Sequence, residues 1–284
     1  MMLDGHIHIL NKTIDKDGLA EKFMHAGIDG GIILSLPPNS LNFGYFKQQE
    51  RMDNLFKWTE AGSNLYPFYW IDPLENNALD QVKLAEDYGV KGFKIICNNF
   101  YPNDNKALKV FQAIARINKP ILFHSGILWD GAVSSQYNRP IGFEALIQID
   151  GLKFSLAHAS WPWIDECIAL YGKFQNAYSM RPDLSVEMFI DITPGTPTIY
   201  REELLTKLFK VGYDVQNNII FGSDCTLHNY NSKWTKDWVK IDNDIYDKLS
   251  IDTGIKEKVF SENLKRFLGL SNQHITKDIL LPAE

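Results

Sequence analysis

A chain of 284 residues exceeds the most common domain size, yet this is an ordinary length for a single α/β barrel. Its 45% hydrophobic and 13% aromatic content allows a large core, and its formal charge of −6 offers no basic surface for nucleic acid. No apolar run approaches the ~20 residues that span a bilayer, and no N-terminal segment has the pattern of a secretory signal peptide. The three widely spaced cysteines suit a reducing compartment, so we expect a cytoplasmic protein.

Short apolar runs recur at intervals of roughly 30 residues, which is the length of one strand–helix unit. We predict strands at 2–9, 30–36, 65–71, 90–96, 119–124, 152–158, 187–192 and 218–223. Helical patterns lie between them at 17–26, 46–61, 78–88, 105–117, 162–173 and 197–211. Eight strands that alternate with helices predict an α/β fold of parallel units closed into a (β/α)8 TIM barrel, with residues 1–284 forming one domain.

Two further helical stretches follow the eighth strand, at about 233–249 and 256–268. The first has an apolar stripe at three-to-four spacing, formed by Trp234, Trp238, Ile241, Ile245 and Leu249. We expect this stripe to pack on the barrel wall, and the alternative is a surface for a partner.

Metal-binding side chains close several of the apolar runs. His6 and His8 end the first predicted strand, His124 the fifth, His158 the sixth and Asp224 the eighth. Alternate side chains of a strand face the same way, so the first two histidines can reach one ion. The carboxyl ends of barrel strands meet at one mouth, where barrel enzymes have their active sites. Because imidazole and carboxylate are good ligands for zinc and similar divalent ions, the pattern predicts a metal site.

Three other polar or thiol side chains lie near the predicted strand ends. Asp4 either holds a ligand histidine through a hydrogen bond or serves the turn chemistry beside its neighbouring glycine. Cys97 and Cys225 follow predicted strands and could line a pocket, but we expect buried, inert thiols.

Six stretches match a known superfamily, in order along nearly the whole chain, at residues 4–8, 89–94, 120–126, 156–159, 221–224 and 262–270. Through them the chain resembles the amidohydrolase superfamily, specifically its amidohydrolase-related branch of metal-dependent TIM-barrel hydrolases. This ordered set is specific for the superfamily but not for one reaction. The resemblance implies a distorted barrel with a metal at its mouth, to which the helical pattern adds extra C-terminal helices.

The resemblance also implies roles for individual residues. A single ion would be held by His6, His8, His124 and Asp224. His158 would orient or activate a water molecule, and Asp224 would also accept the proton of that water. In relatives with two ions a carboxylated lysine bridges them, and Lys94 occupies a position where such a lysine could lie. We expect one ion, zinc, in which case Lys94 is a plain cation facing a substrate carboxylate or an internal acid.

The loops that follow the strands are rich in aromatic residues. Trp129 and Trp161 in these loops and Arg139 are candidate substrate contacts, and Arg181 is a second candidate clamp for a carboxylate. The loop at 42–46 is also aromatic. The alternatives are a hydrophobic lid or an oligomer contact for the aromatic residues, and a surface ion pair for either arginine.

Three functions are compatible with these residues. The leading hypothesis is a metal-dependent hydrolase that cleaves an amide, lactone or ester of a small molecule, using a metal-activated water whose pKa falls to about 7. The alternative is a non-oxidative decarboxylase of a small aromatic or unsaturated carboxylic acid with the same site. A catalytically silent binding barrel is disfavoured because every expected polar position is filled. We expect no nucleic-acid or membrane partner, and the exposed barrel helices leave room for a homodimer.

Overall fold

A computed structural model of the protein describes residues 1–39, 46–60, 62 and 64–270. Its strands are β1 (Leu3–His8), β2 (Gly30–Leu34), β3 (Leu65–Trp70), β4 (Gly92–Ile95), β5 (Ile121–Phe123), β6 (Lys153–Leu156), β7 (Glu187–Asp191), β8 (Ile219–Ile220) and β9 (Cys225–Thr226). They form one sheet in the spatial order β8-β7-β6-β5-β4-β3-β2-β1-β9, and all paired strands are parallel.

Backbone hydrogen bonds close this sheet into a barrel. Directly after β8, the carbonyl of Phe221 accepts a hydrogen bond of 2.9 Å from the N–H of Gly5 in β1. Next to it, the N–H of Asp224 donates to the carbonyl of His6 over 3.1 Å, and β9 pairs with the end of β1. The predicted parallel TIM barrel is therefore confirmed.

Helices alternate with the strands. They are α1 (Leu19–Ala26), α2 (Gln48–Thr59), α3 (Ala78–Tyr88), α4 (Asn105–Arg116), α5 (Ile164–Met180), α6 (Arg201–Lys210), α7 (Ser232–Lys248), α8 (Thr253–Glu257) and α9 (Asn263–Phe267). Local chemistry explains their bounds. Asp104 caps α4 by accepting from the N–H groups of Lys106 and Ala107, and α3 ends at Gly89, whose φ of 83° suits glycine. None of the described helices is long and apolar enough to cross a membrane.

Strand alternation divides the core into two layers. In β2, Ile33 packs in the layer between strands and helices, whereas its neighbour Leu34 belongs to the barrel interior. The ring of Phe267 in α9 lies against Phe68 and Phe189 of this interior, with centroid distances of 6.3 and 5.0 Å. The C-terminal helix α9 therefore contributes to the barrel core.

The apolar stripe of α7 packs against the barrel, as predicted. Trp238 and Ile245 are buried in the layer between strands and helices. Trp234 is 42% exposed, but its indole N–H donates to the carbonyl of Ser223 over 2.9 Å. This contact joins α7 to the residues that follow β8.

Four predicted segments differ clearly from the structure, and one of them is the strand predicted at 218–223, which is observed as the two residues of β8. The strand predicted at 152–158 stops at Leu156, because His158, Ala159 and Ser160 adopt left-handed conformations with φ of 59°, 43° and 59°. The helix predicted at 162–173 continues as α5 to Met180, and the one predicted at 256–268 is interrupted by a π-helical turn. Between β5 and β6 the chain forms 3-10 helices, and no α-helix separates these two strands. Residue 61 and the tail from residue 271, with His274, lie outside the described residues.

Candidate active site

His6, His8 and Asp224 meet at the mouth of the barrel, and we call these three residues the ligand cluster. One ligand atom from each lies within 4.8 Å of the others. The Nε2 atoms of His6 and His8 lie 3.7 and 3.3 Å from Oδ1 of Asp224. Their meeting follows from the fold, because the residues after β8 bond directly to the end of β1.

The cluster fits a divalent metal ion. Two ligand atoms at bond lengths of about 2.1 Å around a tetrahedral ion are about 3.4 Å apart, close to the two separations in the cluster. Burial lowers the pKa of both His6 and His8, and for His6 the charge of Lys94 adds to the effect. Neutral imidazoles are the form that binds metal. The side chain of Asp224 is 35% exposed, towards the cavity.

The carboxylate of Asp224 is also in the form that binds metal. Desolvation by itself would raise its pKa, but the hydrogen bond with His8 and the neighbouring imidazoles outweigh this and hold the pKa well below its usual range. Its backbone φ of 61° lies in the left-handed region, where an aspartate is uncommon. The site therefore holds this carboxylate in place at some cost in backbone strain.

Asp191, which the sequence analysis missed, orients His6. Its Oδ2 lies 2.8 Å from Nδ1 of His6, and both side chains are buried to 1% exposure or less. A carboxylate accepts a hydrogen bond from the Nδ1–H group and so leaves the Nε2 lone pair for a metal. Asp191 is also held by the N–H of Thr193 at 2.5 Å. The available signal was the same as for Asp224, namely an apolar strand that ends in a carboxylate.

His158 lies beside the ligand cluster, on the left-handed turn after β6. Its ring centroid is 5.4 Å from that of His6, and its Nδ1 lies 3.3 Å from the carbonyl oxygen of Thr193. A hydrogen bond from Nδ1 leaves Nε2 with the lone pair. Gly195 packs on this ring so closely that a Cβ there would lie 2.7 Å from Cγ of His158. Close packing and the carbonyl therefore fix the orientation of the imidazole.

His124 lines the same cavity, but the described contacts do not place it within the ligand cluster. Its ring centroid is 5.1 Å from that of His158, and its Nε2 lies 3.2 Å from the carbonyl oxygen of Ile127. A hydrogen bond from Nε2 leaves Nδ1 as the atom that could bind an ion. Burial, together with His158 and Lys94, lowers the pKa of His124 well below its usual range.

Asp4 holds the predicted ligand His6 through a hydrogen bond, one of the two roles expected from the sequence, and this bond comes from the backbone N–H of His6. Its carboxylate accepts hydrogen bonds from the backbone N–H groups of His6 and Ser223, at 3.0 and 2.9 Å. It also accepts from the hydroxyl groups of Ser223 and Tyr230. Asp4 therefore ties β1 to the segment after β8 through the backbone, and it supports the ligand cluster without touching an imidazole ring of it.

Lys94 reaches the ligand cluster from β4. Its side chain is buried to 1% exposure, and its Nζ lies 3.3 Å from Nε2 of His6. Burial lowers the pKa of Lys94 to about 8, although the charges of Asp191 and Asp224 oppose the shift. This location beside the ligand cluster is compatible with a bridging lysine and with an internal cation.

A cavity of about 290 Å³ opens in front of these residues. Trp129 and Trp161, two predicted substrate contacts, line it, together with Trp70 at the end of β3, which the sequence analysis missed. Arg139 is not among the lining residues. Its guanidinium pairs with Glu166 at 2.6 Å, which is the surface ion pair that the sequence analysis gave as the alternative.

Other predicted residues contribute little to the cavity. Arg181 forms an exposed pair with Asp183. Cys97 and Cys225 are buried and do not line the cavity, as expected. Asn42, Phe43 and Tyr45 of the second-strand loop lie outside the described residues.

A parallel barrel whose strand ends gather imidazoles and carboxylates around one cavity defines a metal-dependent enzyme of the TIM-barrel class. The chain belongs to the amidohydrolase family, which it matches over residues 49–270, and it is an enzyme of the metal-dependent hydrolase type. The family predicted from the sequence is thereby confirmed. No curated protein matches the chain.

Solved structures share the fold at low sequence identity. A "probable 2-pyrone-4,6-dicarboxylic acid hydrolase" from Acinetobacter baumannii is 10% identical with a TM-score of 0.58, covering 94% of this chain and 99% of that one. A dihydroorotase from Campylobacter jejuni is 14% identical with a TM-score of 0.57, covering 96% and 84%. An amidohydrolase 2 from Bifidobacterium longum subsp. infantis is 13% identical with a TM-score of 0.55, covering 95% and 99%.

Proposed function

We propose that the protein is a zinc-dependent hydrolase that cleaves an amide, lactone or ester bond of a small molecule. The observation that carries this proposal is the convergence of His6, His8 and Asp224, with one ligand atom from each within 4.8 Å of the others. Two imidazoles and one carboxylate form a known ligand set of catalytic zinc, which keeps a further position open for water or substrate.

The residues around the cluster support each step of hydrolysis. A zinc ion held there would act as a Lewis acid and lower the pKa of a water molecule to about 7. Asp224 is ionised at neutral pH and can accept a proton from that water. Hydrolysis then joins the water oxygen to the carbonyl carbon, breaks the bond from that carbon to the leaving nitrogen or oxygen, and delivers the accepted proton to the leaving atom. His158, which lines the same cavity, would orient the attacking water by accepting a hydrogen bond from it through Nε2.

The proposal includes one ion rather than two. His124 would complete the ligand set through Nδ1, and Lys94 would remain an internal cation close to His6. Elemental analysis of zinc-loaded protein should then give one equivalent per chain. Two equivalents, with loss of the second in a Lys94→Ala variant, would instead favour a lysine that bridges two ions.

A matched pair of histidine variants tests the function. His8→Ala removes a ligand, whereas His25→Ala removes an exposed histidine near the end of α1 that does not line the cavity. Both proteins, loaded with zinc, are assayed on a panel of small lactones, esters and amides by acid release. We expect His8→Ala to lose zinc and activity together and His25→Ala to behave like the wild type. Full activity in His8→Ala would contradict the proposal.

The same panel separates hydrolysis from the alternative. Small aromatic and unsaturated carboxylic acids are included, and carbon dioxide is measured beside acid formation. Carbon dioxide release without hydrolysis would favour the decarboxylase hypothesis. Full zinc occupancy with neither product would favour a binding barrel.

We propose further that the chain is a single domain that works in the cytoplasm. The three cysteines are free and buried, which suits a reducing compartment. The homodimer expected from the exposed barrel helices stays a prediction, and sedimentation velocity would test it.

A further inference from the structure

We infer that the cavity selects substrates whose non-reacting part is an apolar ring without a carboxylate, and that Asp130 sets this preference. The inference rests on the proposed hydrolase function, because it names the class of substrate that the same site would accept. It concerns the outer part of the cavity, which the ligand cluster does not occupy.

The walls of the outer cavity are apolar. Three indoles line the cavity: that of Trp70, whose ring centroid is 5.6 Å from that of His8, that of Trp129, which is 80% exposed, and that of Trp161. The aliphatic side chains of Leu10, Ile96 and Leu128 line it as well. The volume of about 290 Å³ is at the small end for ligand cavities, so a single ring with a short chain would fill it. Aromatic walls bind such a ring through apolar burial and ring contacts.

In its outer part, the cavity offers no lysine or arginine of the described chain to a substrate carboxylate. Among the described residues that line it, the one lysine or arginine is Lys94, which is buried beside the ligand cluster. Arg139 and Arg181 do not line the cavity, and they are paired with Glu166 and Asp183 at 2.6 and 3.4 Å. A carboxylate placed against the indoles would therefore lose hydration without gaining an ion pair.

Asp130 adds a negative charge to the cavity wall. It follows Trp129 in the loop after β5 and is partly buried. Its Oδ1 accepts hydrogen bonds from the N–H of Ala132 at 3.0 Å and from the hydroxyl of Ser134 at 2.7 Å. These neutral donors hold the carboxylate in place and leave its charge uncompensated. A substrate carboxylate nearby would be repelled, whereas an ammonium group would be attracted by Asp130 and by the indole faces.

Three hydroxamates provide a test that does not depend on turnover. Benzohydroxamate chelates zinc through its hydroxamate group, so a substituent at ring position 4 points away from the ion and into the outer cavity. Its 4-carboxylate and 4-aminomethyl analogues differ from it chiefly in the charge placed there. Binding of all three to the zinc-loaded protein is measured by isothermal titration calorimetry, with zinc content determined separately.

We expect the 4-carboxylate to bind at least about tenfold more weakly than benzohydroxamate, and the 4-aminomethyl analogue to bind at least as tightly as benzohydroxamate. In Asp130→Asn the penalty on the carboxylate should shrink, and the 4-aminomethyl analogue should bind more weakly. Asp183→Asn, which removes an exposed carboxylate away from the cavity, should leave the order and the ratios unchanged.

Two results would overturn the inference. One is equal or tighter binding of the 4-carboxylate by the wild type, and the other is an unchanged set of ratios in Asp130→Asn. Failure of all three ligands to bind zinc-loaded protein would also overturn it, because an open apolar cavity should accept the unsubstituted ring. Failure of the hydrolase proposal is distinguishable, since it would appear as ligand binding in the predicted order without hydrolysis of any neutral amide, lactone or ester.

Discussion

Replacing Asp191 by asparagine tests how the barrel prepares His6 for metal binding. The variant keeps the size of the side chain but can offer only one acceptor oxygen to two donors, Nδ1 of His6 and the N–H of Thr193. The amide group would present a donor to one of them. Either His6 loses the partner that selects its tautomer, or the turn after β7 loses its hydrogen bond.

The magnitude follows from burial and distance. The contact between Asp191 and His6 is 2.8 Å long, and both side chains are excluded from solvent, so water cannot replace the lost acceptor. Carboxylates that orient ligand histidines contribute about 10- to 100-fold in metal affinity. We therefore expect zinc affinity to fall by this factor, which corresponds to about 1.4–2.8 kcal/mol.

Competition with a chromogenic zinc chelator measures this affinity directly. Circular dichroism and urea denaturation establish that the variant is folded, and Asp237→Asn, which alters an exposed ion pair on α7, serves as the matched control. Zinc affinity of Asp191→Asn equal to that of the control, in folded protein, would refute the conclusion that Asp191 orients His6.

Three further predictions concern the proton-accepting carboxylate, a buried ion pair and the thiols. Asp224→Asn should reduce turnover by orders of magnitude in folded protein, measured with a hydrolysed substrate, and retained turnover would remove its role as proton acceptor. Arg201→Ala should lower the free energy of unfolding in urea by about 3–5 kcal/mol, because it leaves the buried carboxylate of Asp242 without a partner. In the wild type the Nε and Nη2 atoms of Arg201 donate to the two oxygens of this carboxylate, at 2.6 and 2.7 Å. Arg181→Ala, which breaks an exposed pair, should change that free energy by less than about 0.5 kcal/mol, and equal effects would contradict the argument. The three cysteines should resist an aromatic disulfide reagent at pH 8 in the native state and react fully after unfolding. The reason is that all three are buried and burial raises the pKa of each thiol. Rapid reaction of a native thiol would show that it is accessible.

The residues that build the ligand cluster were predictable because their signal is local. An apolar run followed by a histidine or a carboxylate indicates a strand end, and parallel strands bring such ends to one mouth of the barrel. This reasoning found His6, His8 and Asp224, and it also found His124 and His158 in the cavity lining. Asp191 carries the same local signal, because it directly follows the apolar run at 188–190.

His158 does not end a strand, although its apolar neighbours predict one. The apolar run there predicted an extended strand to residue 158, but the chain leaves β6 after Leu156 and turns through three left-handed residues. Those conformations depend on contacts with distant segments. The hydroxyl of Ser125 bonds the carbonyl of Ala157, and Gly195 fills the space against the imidazole.

Two properties of short stretches of chain determined the barrel, its family and the metal chemistry. They are the periodicity of the apolar residues and the types of residue at the strand ends. The partners of each functional group were decided only by the tertiary structure. Asp191 contacts His6, although 185 residues separate the two in the sequence, and Arg139 pairs with Glu166 and does not line the cavity. Such choices depend on barrel closure, loop paths and side-chain packing, and these result from the burial of the whole chain, so no local pattern encodes them.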